Sequence, residues 1–240
     1  MPEETIDTTK EKATTTEAAP AEEAATTAEA ETSGMKAGKG LRFIKSKGVC
    51  RKCRRAGEKL FLKGEKCLSP KCPITRRTYA PGMHGSLRTG RPSEYQRQLR
   101  EKQKLAQIYI LSARELKNYF GKASREKGAT ASKLFEFLER RLDNAVFRLG
   151  LTPSRKSARE LIRRKMVLVN QRAVTIAGYS LNKNDVIEFS KATALPKGVA
   201  KIPAWLEQTK DGGAKVMGSP SGENEDISVD ANLIVEFYSK

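Results

Sequence analysis

Four cysteines are the residues of this chain whose type and spacing most directly suggest chemistry. They are its only cysteines, and they follow the pattern C-x2-C-x13-C-x4-C as Cys50, Cys53, Cys67 and Cys72. Two close pairs on two turns supply the four thiolates of a tetrahedral zinc site. Because four thiolates also suit an iron–sulfur cluster, the spacing predicts metal binding and leaves Zn²⁺ and iron–sulfur open.

Basic side chains surround these cysteines in the sequence. We expect their positive potential to lower the thiol pKa values and to offset part of the negative charge of a four-thiolate site. Four unpaired thiols or two disulfides are the alternatives. No hydrophobic secretory segment opens the chain, which argues against disulfides, and the spacing favours metal. The basic neighbours are Arg51, Lys52, Arg54, Arg55, Lys66 and Lys71.

The charge of the chain is strongly positive and unevenly distributed. It has 46 lysines and arginines against 28 acidic residues, a formal net charge of +18. Residues 1–33 contain nine acids and two lysines, a net charge of −7, so the other 207 residues carry +25. A region with this charge favours binding to the phosphate backbone of a nucleic acid, since each neutralised phosphate releases counterions. No apolar run approaches the roughly 20 residues that span a bilayer, which argues against a membrane partner.

The first 34 residues form an acidic extension. They are rich in alanine, threonine and glutamate and contain no aromatic residue, so we expect this segment to be disordered. A transit peptide would be basic and a signal peptide would have an apolar centre, and neither pattern fits.

A basic loop is predicted after the cysteines. Its sequence R-R-T-Y-A-P-G-M-H-G, residues 76–85, has Pro-Gly and a further glycine, which are typical of turns. Basic loops with an aromatic residue can lie along a nucleic-acid backbone. His84 is the only histidine of the chain, which argues against a histidine-based acid–base pair or triad. It is a fifth candidate metal ligand, but four cysteines already complete the site, so we expect it to pack in the loop or contact RNA.

Helical signals recur between residues 93 and 150. Capping residues mark one helix over Glu94–Tyr109 after Ser93 and a second that begins with a capping box of Ser112 and Glu115. Apolar residues at helical spacing predict a third, continuous helix that starts near Ala131 and ends before residue 150. Its core face comprises Leu134, Phe137, Leu138, Leu142, Ala145, Val146 and Leu149.

A short basic helix is the second region that points to function. Ser154 is predicted to cap it over Arg155–Lys165, with apolar residues on one side. Its other side carries a cationic ridge, which can bind phosphate while the apolar side packs on a sheet. The ridge consists of Arg155, Lys156, Arg159 and Arg163. Three strands are predicted to follow, over Met166–Asn170, Ala173–Ile176 and Asp185–Phe189.

These stretches resemble a known family. One stretch resembles the small RNA-binding module of bacterial small-subunit ribosomal protein S-four: S-R-K-S-A-R-E-L-I-R-R-K-M-V-L-V-N-Q-R-A-V. That module is found also in pseudouridine synthases and tyrosyl-tRNA synthetases. Six further blocks, spread over residues 41–240, resemble the ribosomal protein family itself. They are C-R-K-C, L-F-L-K-G-E-K-C, R-R-T-Y-A-P-G-M-H-G, L-R-E-K-Q-K-L, L-E-R-R-L-D-N-A-V-F-R-L-G and N-L-I-V-E-F-Y-S-K.

The resemblance implies an α+β fold. It places an N-terminal four-cysteine metal-bound region and helical domain at residues 35–130, completed by a C-terminal segment, 193–240. The RNA-binding module, helices packed on a small antiparallel sheet, is inserted between them at residues 131–192. The acidic extension over residues 1–34 departs from the family, and the resemblance offers no role for it.

The function implied is that of a structural constituent of the small ribosomal subunit in the cytoplasm. Such a protein binds the 5′ domain of 16S rRNA early in 30S assembly and lies near the channel through which mRNA enters. Its neighbours include the small-subunit proteins numbered three and five. An RNA-modifying enzyme with the same module is the alternative, but it needs a further catalytic domain for which the chain has no room. A nucleic-acid-binding regulator would need a helix that reads bases.

The loop, the helices and the resemblance together define the candidate rRNA contacts. They are Arg76, Arg77, Tyr79, His84, Arg91, Arg97, Arg100, Lys104, Arg140, Arg141, Ser154, Arg155, Lys156, Arg159 and Arg163.

Overall fold

The structure is a computed structural model that describes residues 48–87, 90–190, 202–209, 212–220 and 228–239. All of the described residues lie within one structural unit of the chain. The acidic extension predicted over residues 1–34 lies outside them. No helix in the described ranges is long and apolar enough to cross a bilayer.

The described residues form nine helices and five short strands. The helices are α1 (Val49–Ala56), α2 (Glu65–Leu68), α3 (Pro73–Arg76), α4 (Glu94–Ile108), α5 (Ala113–Ala123), α6 (Thr130–Glu139), α7 (Leu142–Arg148), α8 (Arg155–Arg163) and α9 (Ala231–Ser239). The strands are β1 (Val167–Val169), β2 (Arg172–Ala173), β3 (Val186–Phe189), β4 (Leu206–Gln208) and β5 (Ala214–Val216).

The predicted caps of α4 and α5 are confirmed. The Ser93 hydroxyl accepts a hydrogen bond from the backbone N–H of Gln96, and α4 ends one residue earlier than predicted. At α5, the Ser112 hydroxyl accepts from the backbone N–H of Glu115, while the Glu115 carboxylate accepts from the backbone N–H of Ser112. Each cap satisfies backbone donors that have no partner within the helix, which fixes where the helix begins.

The third predicted helix is divided in two. The sequence predicts one helix from near residue 131 to 149, but the chain turns at Arg140–Arg141 between α6 and α7. The backbone N–H groups of Leu142 and Asp143 donate to the carbonyls of Tyr179 and Ala177, so a distant loop supplies the partners. Apolar spacing did not reveal this break, because it continues in phase across both helices.

Helices α4, α5, α6 and α9 pack around one core. Its fully buried side chains include Leu105, Leu116, Leu138 and Ile234, one from each of the four helices. The cysteine-bearing segment joins this core through buried residues such as Leu60. Because α9 packs against α4 and α6, the C-terminal helix returns to the helical region as the resemblance implies.

A five-stranded antiparallel sheet forms the base of a second core. The strand order is β2-β1-β3-β5-β4, and α7 and α8 cover it with buried Val146, Leu161 and Ile162. The β1–β2 turn places Asn170 and Gln171 at positive φ, as expected for a tight hairpin. The α+β class and the small antiparallel sheet are thereby confirmed.

The division between the two cores differs from the predicted domain limits. Helix α6, which the prediction assigned to the inserted module, buries Leu134, Phe135 and Leu138 in the helical core, so the cores meet between Glu139 and Leu142. Strands β4 and β5, which come from the predicted C-terminal segment, extend the module sheet through β3. Three-residue strands carry too little alternation for the sequence to reveal them.

Candidate nucleic-acid interface and thiol cluster

The four cysteines come from three short helices. Cys50 and Cys53 lie one turn apart on α1, Cys67 lies on α2, and Cys72 immediately precedes α3. All four are free thiols, and all except Cys50 are buried. Because Cys53 and Cys72 belong to the helical core, apolar packing helps to hold this segment together.

Burial has the largest effect on the pKa values of the Cys53 and Cys67 thiols. It raises the pKa of Cys53 and of Cys67, the neighbouring thiols raise both further, and backbone hydrogen bonds from Leu60 and Lys63 lower them in part. The expectation that basic neighbours lower these pKa values is not met. Five of the six are exposed, where water screens their charges, and the sixth, Arg54, is engaged elsewhere.

The thiols lie near one another without forming a closed cage. The other three cysteines contribute electrostatically to the raised pKa of Cys53, and Cys50 and Cys72 contribute to that of Cys67. Within the part of the chain that the structure describes, no three His, Cys, Asp or Glu side chains are placed to hold a metal ion. The donor set consists of sulfur atoms, the ligands that zinc and iron–sulfur clusters prefer.

One arginine holds the basic loop in place. Arg54 of α1 donates a hydrogen bond from Nε to the Tyr79 carbonyl at 2.9 Å and another from Nη2 to the Ala80 carbonyl at 3.1 Å. Its guanidinium also lies 4.7 Å from the centre of the Tyr79 ring. At Gly85 a Cβ atom would come within 1.9 Å of the Ala80 oxygen, so only glycine fits this close approach. Sequence reasoning missed the role of Arg54, which its position within C-R-K-C does not reveal.

Most predicted contacts in this loop and on α4 are exposed to solvent. Tyr79 is 44% exposed, and His84 lies at the surface of the loop. Arg97 makes only a long ion pair with Glu94, at 3.6 Å. Among the described residues, no carboxylate pairs with the other arginines of this group, which we call the open arginines: Arg76, Arg77, Arg91 and Arg100.

Lys104 is an exception on α4. It is 5% exposed, and its ammonium lies 2.7 Å from Glu58 and 3.7 Å from Glu101. Burial alone would raise the pKa of Glu58, but hydrogen bonds from Lys104 and Ser228 lower it overall. The two carboxylates neutralise Lys104, so it differs from the exposed phosphate ligand that the sequence predicted.

Buried polar side chains join the two cores. Glu139 is 2% exposed and accepts hydrogen bonds from the Tyr109 hydroxyl, from the Asn144 amide at 2.7 Å and from Arg148 at 3.1 Å. Burial alone would raise the pKa of Glu139, but Arg148 and the other donors lower it overall. Burial and this carboxylate raise the pKa of Tyr109, so its hydroxyl keeps the proton that it donates. We call the whole cluster the junction network: Tyr109, Glu139, Arg141, Asp143, Asn144, Arg148, Arg155 and Arg159.

Asp143 is the second buried carboxylate of the junction network. Arg141 donates to both of its oxygens, from Nε at 3.1 Å and from Nη2 at 3.0 Å. Arg159 donates from Nε to Oδ2 at 2.7 Å and from Nη2 to the Tyr109 carbonyl at 3.2 Å. One carboxylate therefore orients two guanidinium groups, and removal of its charge would leave both without their anionic partner.

The predicted cationic ridge of α8 is divided between this network and the surface. Ser154 caps the helix as predicted, accepting from the backbone N–H of Ser157, and is itself buried. Arg155 lies over the rings of Phe147 and Tyr109, at 4.5 and 4.8 Å, and donates from Nε to the side-chain oxygen Oδ1 of Asn144 at 2.8 Å.

Burial lowers the pKa of Arg155, in keeping with its enclosed position. Arg155 and Arg159 are half-buried and are held by hydrogen bonds within the junction network, so these two residues do not form the free ridge that the sequence predicted. Lys156 is half-buried, and Arg163 keeps 77% of its side chain exposed.

The pair Arg140–Arg141 serves the turn between α6 and α7. Arg140 donates from Nε to the Leu181 carbonyl at 3.0 Å and from Nη2 to the Asn182 side chain at 3.1 Å. Arg141 is 3% exposed and faces Asp143 inside the molecule. The stretch E-R-R-L-D-N could have indicated that both arginines bond within the protein, because acidic residues flank them in the sequence.

Two models of known protein families match adjacent parts of the chain. Residues 45–139 match the family model described as "Ribosomal protein S4/S9 N-terminal domain", and residues 140–187 match the model described as "S4 domain". The limit between the two models falls at the junction network, where the two cores meet.

Curated relatives match over nearly their whole length. Small ribosomal subunit protein uS4 of Halothermothrix orenii is 43% identical over 202 residues, that of Syntrophus aciditrophicus 44% over 205, and that of Thermus thermophilus 44% over 203. Each alignment covers 80% of this chain and 97% of the relative. The chain belongs to the uS4 family. The resemblance seen in the motifs is thereby confirmed. The residues that match the two family models include the four cysteines, the basic loop and the junction network.

Proposed function

We propose that this protein is a structural constituent of the small ribosomal subunit and that it binds ribosomal RNA. The observation that carries the proposal is its alignment with uS4 proteins over 97% of their length. Those relatives are named as ribosomal proteins, so the chain is a structural protein and not an enzyme.

The exposed charge of the described residues supports an RNA partner. The open arginines have no carboxylate partner among the described residues, so their charge is available to phosphate oxygens. Tyr79 adds an aromatic surface of the kind on which bases stack. The loop that carries it is held by Arg54 before any RNA binds, which reduces the entropy lost on association.

The finer function that we propose follows the family resemblance. The protein binds the 5′ domain of 16S rRNA early in assembly of the 30S subunit, in the cytoplasm. It lies near the channel through which mRNA enters, beside the small-subunit proteins numbered three and five. The positive charge and the preformed loop support this role, because both favour binding to the phosphates of a folded RNA.

A binding experiment with the full chain tests the proposal. The protein should bind a transcript of the 16S 5′ domain more tightly than an equally long transcript of another rRNA domain, at the same salt concentration. It should also sediment with 30S particles after a high-salt wash. Equal affinity for both transcripts would contradict specific rRNA recognition, and loss from washed particles would contradict a structural role.

We further propose that Cys50, Cys53, Cys67 and Cys72 hold Zn²⁺, with an iron–sulfur cluster as the alternative. The support is chemical: four free thiols from one small segment, three of them buried, supply a complete set of sulfur ligands. A bound cation would stabilise the thiolate forms of Cys53 and Cys67, which burial disfavours. A metal there would tie α1, α2 and α3 together.

Metal analysis of the purified protein tests this second proposal. We expect about one zinc per chain, since four thiolates complete one tetrahedral site. The substitution Cys53→Ala should release it and increase amide exchange around α1 and α2 without affecting the β1–β3 sheet. Absence of both zinc and iron from freshly prepared protein would contradict metal binding.

A further inference from the structure

The basic loop begins directly beside the thiol cluster, which consists of Cys50, Cys53, Cys67 and Cys72. Cys72 immediately precedes α3, and its carbonyl accepts a hydrogen bond from the backbone N–H of Arg76 at 3.3 Å. The next residue, Arg77, donates its backbone N–H to the Pro73 carbonyl at 2.9 Å. Two of the open arginines therefore lie one short helix away from a thiol.

Arg54 forms a second link between the thiol cluster and the loop. It follows Cys53 on α1 and donates to the carbonyls of Tyr79 and Ala80, which are 25 and 26 residues away in the sequence. The Ala80 carbonyl also lies against Gly85, so this oxygen is held from two sides. Because Arg54 is half-buried and donates to carbonyls of the loop, it acts on the shape of the loop rather than directly on phosphate.

Helix α1 has little besides its cysteines to hold its shape. It has eight residues; among the described residues no side chain caps its N-terminus, and Cys53 is its one buried member. Isolated helices shorter than roughly 12 residues are marginal in water. Arg51 also lies three and four positions before Arg54 and Arg55, a spacing at which like charges repel. The position of Arg54 therefore depends on how firmly Cys50 and Cys53 are held.

We propose that the thiol cluster controls the affinity of the basic loop for RNA and that Arg54 is the positioning residue that links them. When a metal ion ties the sulfur atoms together, α1 and α3 are fixed and Arg54 holds the loop in its binding shape. When the thiols are not tied, α1 loosens and Arg54 releases the two carbonyls. RNA must then order the loop itself, at a cost in entropy.

This inference rests on the proposed rRNA-binding function and on the proposed metal, and it adds a coupling between them. The donor set fits the metal, because four free thiols on three neighbouring short helices supply a full set of sulfur ligands. Two sites whose states affect each other are coupled in both directions, so the RNA should also strengthen metal binding.

Two charge-conserving substitutions separate positioning from attraction to phosphate. Arg54→Lys keeps the positive charge but loses the planar group that donates to two carbonyls at once. Arg55→Lys is the matched control, because Arg55 is the next residue on α1 and is exposed. Neither substitution changes the net charge, so the salt dependence of RNA binding should be the same in all three proteins.

The dependence of RNA affinity on metal should distinguish the two variants. With the 16S 5′-domain transcript, the unchanged protein and Arg55→Lys should bind about tenfold more tightly when loaded with Zn²⁺ than after dialysis against a chelator. Arg54→Lys should bind about as weakly as the metal-free unchanged protein, and Zn²⁺ should change its affinity by roughly twofold or less. Equal metal dependence in all three proteins would overturn the role of Arg54. Absence of metal dependence in the unchanged protein would overturn control by the thiol cluster.

Competition for zinc supplies the reciprocal measurement. The transcript should raise the affinity of the unchanged protein and of Arg55→Lys for Zn²⁺ by the same factor of about ten, measured against a coloured chelator. It should leave that of Arg54→Lys nearly unchanged. An equal effect of RNA on all three proteins would show that the coupling bypasses Arg54 and would overturn the proposal. Failure of the unchanged protein to bind Zn²⁺ would overturn it together with the proposed metal. Failure of the loaded, unchanged protein to bind the transcript is a different result and would contradict the proposed function itself.

Discussion

Two groups of arginines that look alike in the sequence have different roles in the structure. In the junction network, Arg141 and Arg159 surround the buried carboxylate of Asp143 and hold the two cores together. On the loop and α4, the open arginines lack such partners among the described residues. The position of carboxylates, rather than the density of positive charge, separates an arginine that stabilises the fold from one that can bind phosphate.

The largest expected effect comes from Asp143 in the junction network. Asp143→Asn keeps the shape of the side chain but leaves two guanidinium groups without their anion. We expect the free energy of unfolding to fall by about 3–5 kcal/mol, the usual effect of breaking a buried ion pair. Urea denaturation measures it.

An exposed ion pair provides the control for that substitution. Glu94→Gln removes the partner of Arg97 at the surface, where we expect a change below about 1 kcal/mol. If Asp143→Asn were no more destabilising than Glu94→Gln, the junction network would have no role in stability.

A second prediction concerns the arginines of α8. Arg155→Ala and Arg159→Ala each remove hydrogen bonds within the network, so each should lower the free energy of unfolding by roughly 1.5–3 kcal/mol. Arg163→Ala should leave stability unchanged, because that side chain is exposed. Thermal and urea denaturation of the three variants compare them directly, and equal stability of all three would contradict the division of the ridge.

Local sequence signals predicted several of these elements correctly. Ser93, Ser112 and Ser154 act as caps because a hydroxyl beside the first turn satisfies nearby N–H groups, whatever the rest of the fold does. The strand before the Asn170–Gln171 turn was also predicted correctly, whereas the strand after it was predicted over Ala173–Ile176 and spans only Arg172–Ala173. Such signals depend on residues that are close in the chain.

Contacts between distant residues could not be predicted in this way. The break at Arg140–Arg141 depends on carbonyls near Tyr179, and the commitment of Arg159 depends on Asp143 and on the Tyr109 backbone. A helical pattern shows which face of α8 is basic, but not which carboxylates that face will meet. The cationic ridge was therefore predicted as a free surface, although two of its four residues, Arg155 and Arg159, are half-buried and hydrogen-bonded within the junction network.

A smaller effect is expected from acid. The pKa of Glu139 is lowered in the folded protein, so its contribution to stability is present above its unfolded pKa of about 4.3 and is lost as the pH falls through the folded value. The difference in unfolding free energy between the unchanged protein and Glu139→Gln should be constant near neutral pH and shrink in acid. Urea titrations across this range measure it, and a difference that persists undiminished in strong acid would contradict the lowered pKa.

The salt dependence of rRNA binding tests the central claim most directly. Replacing Arg76, Arg77 and Arg100 together by glutamine should leave the fold intact, because no ion pair holds them among the described residues. With the 16S 5′-domain transcript, the magnitude of the slope of log K against log salt should fall by about two to three, or somewhat under one for each lost phosphate contact. A folded triple variant with an unchanged slope would contradict the account, because the open arginines would then not be the phosphate-binding surface.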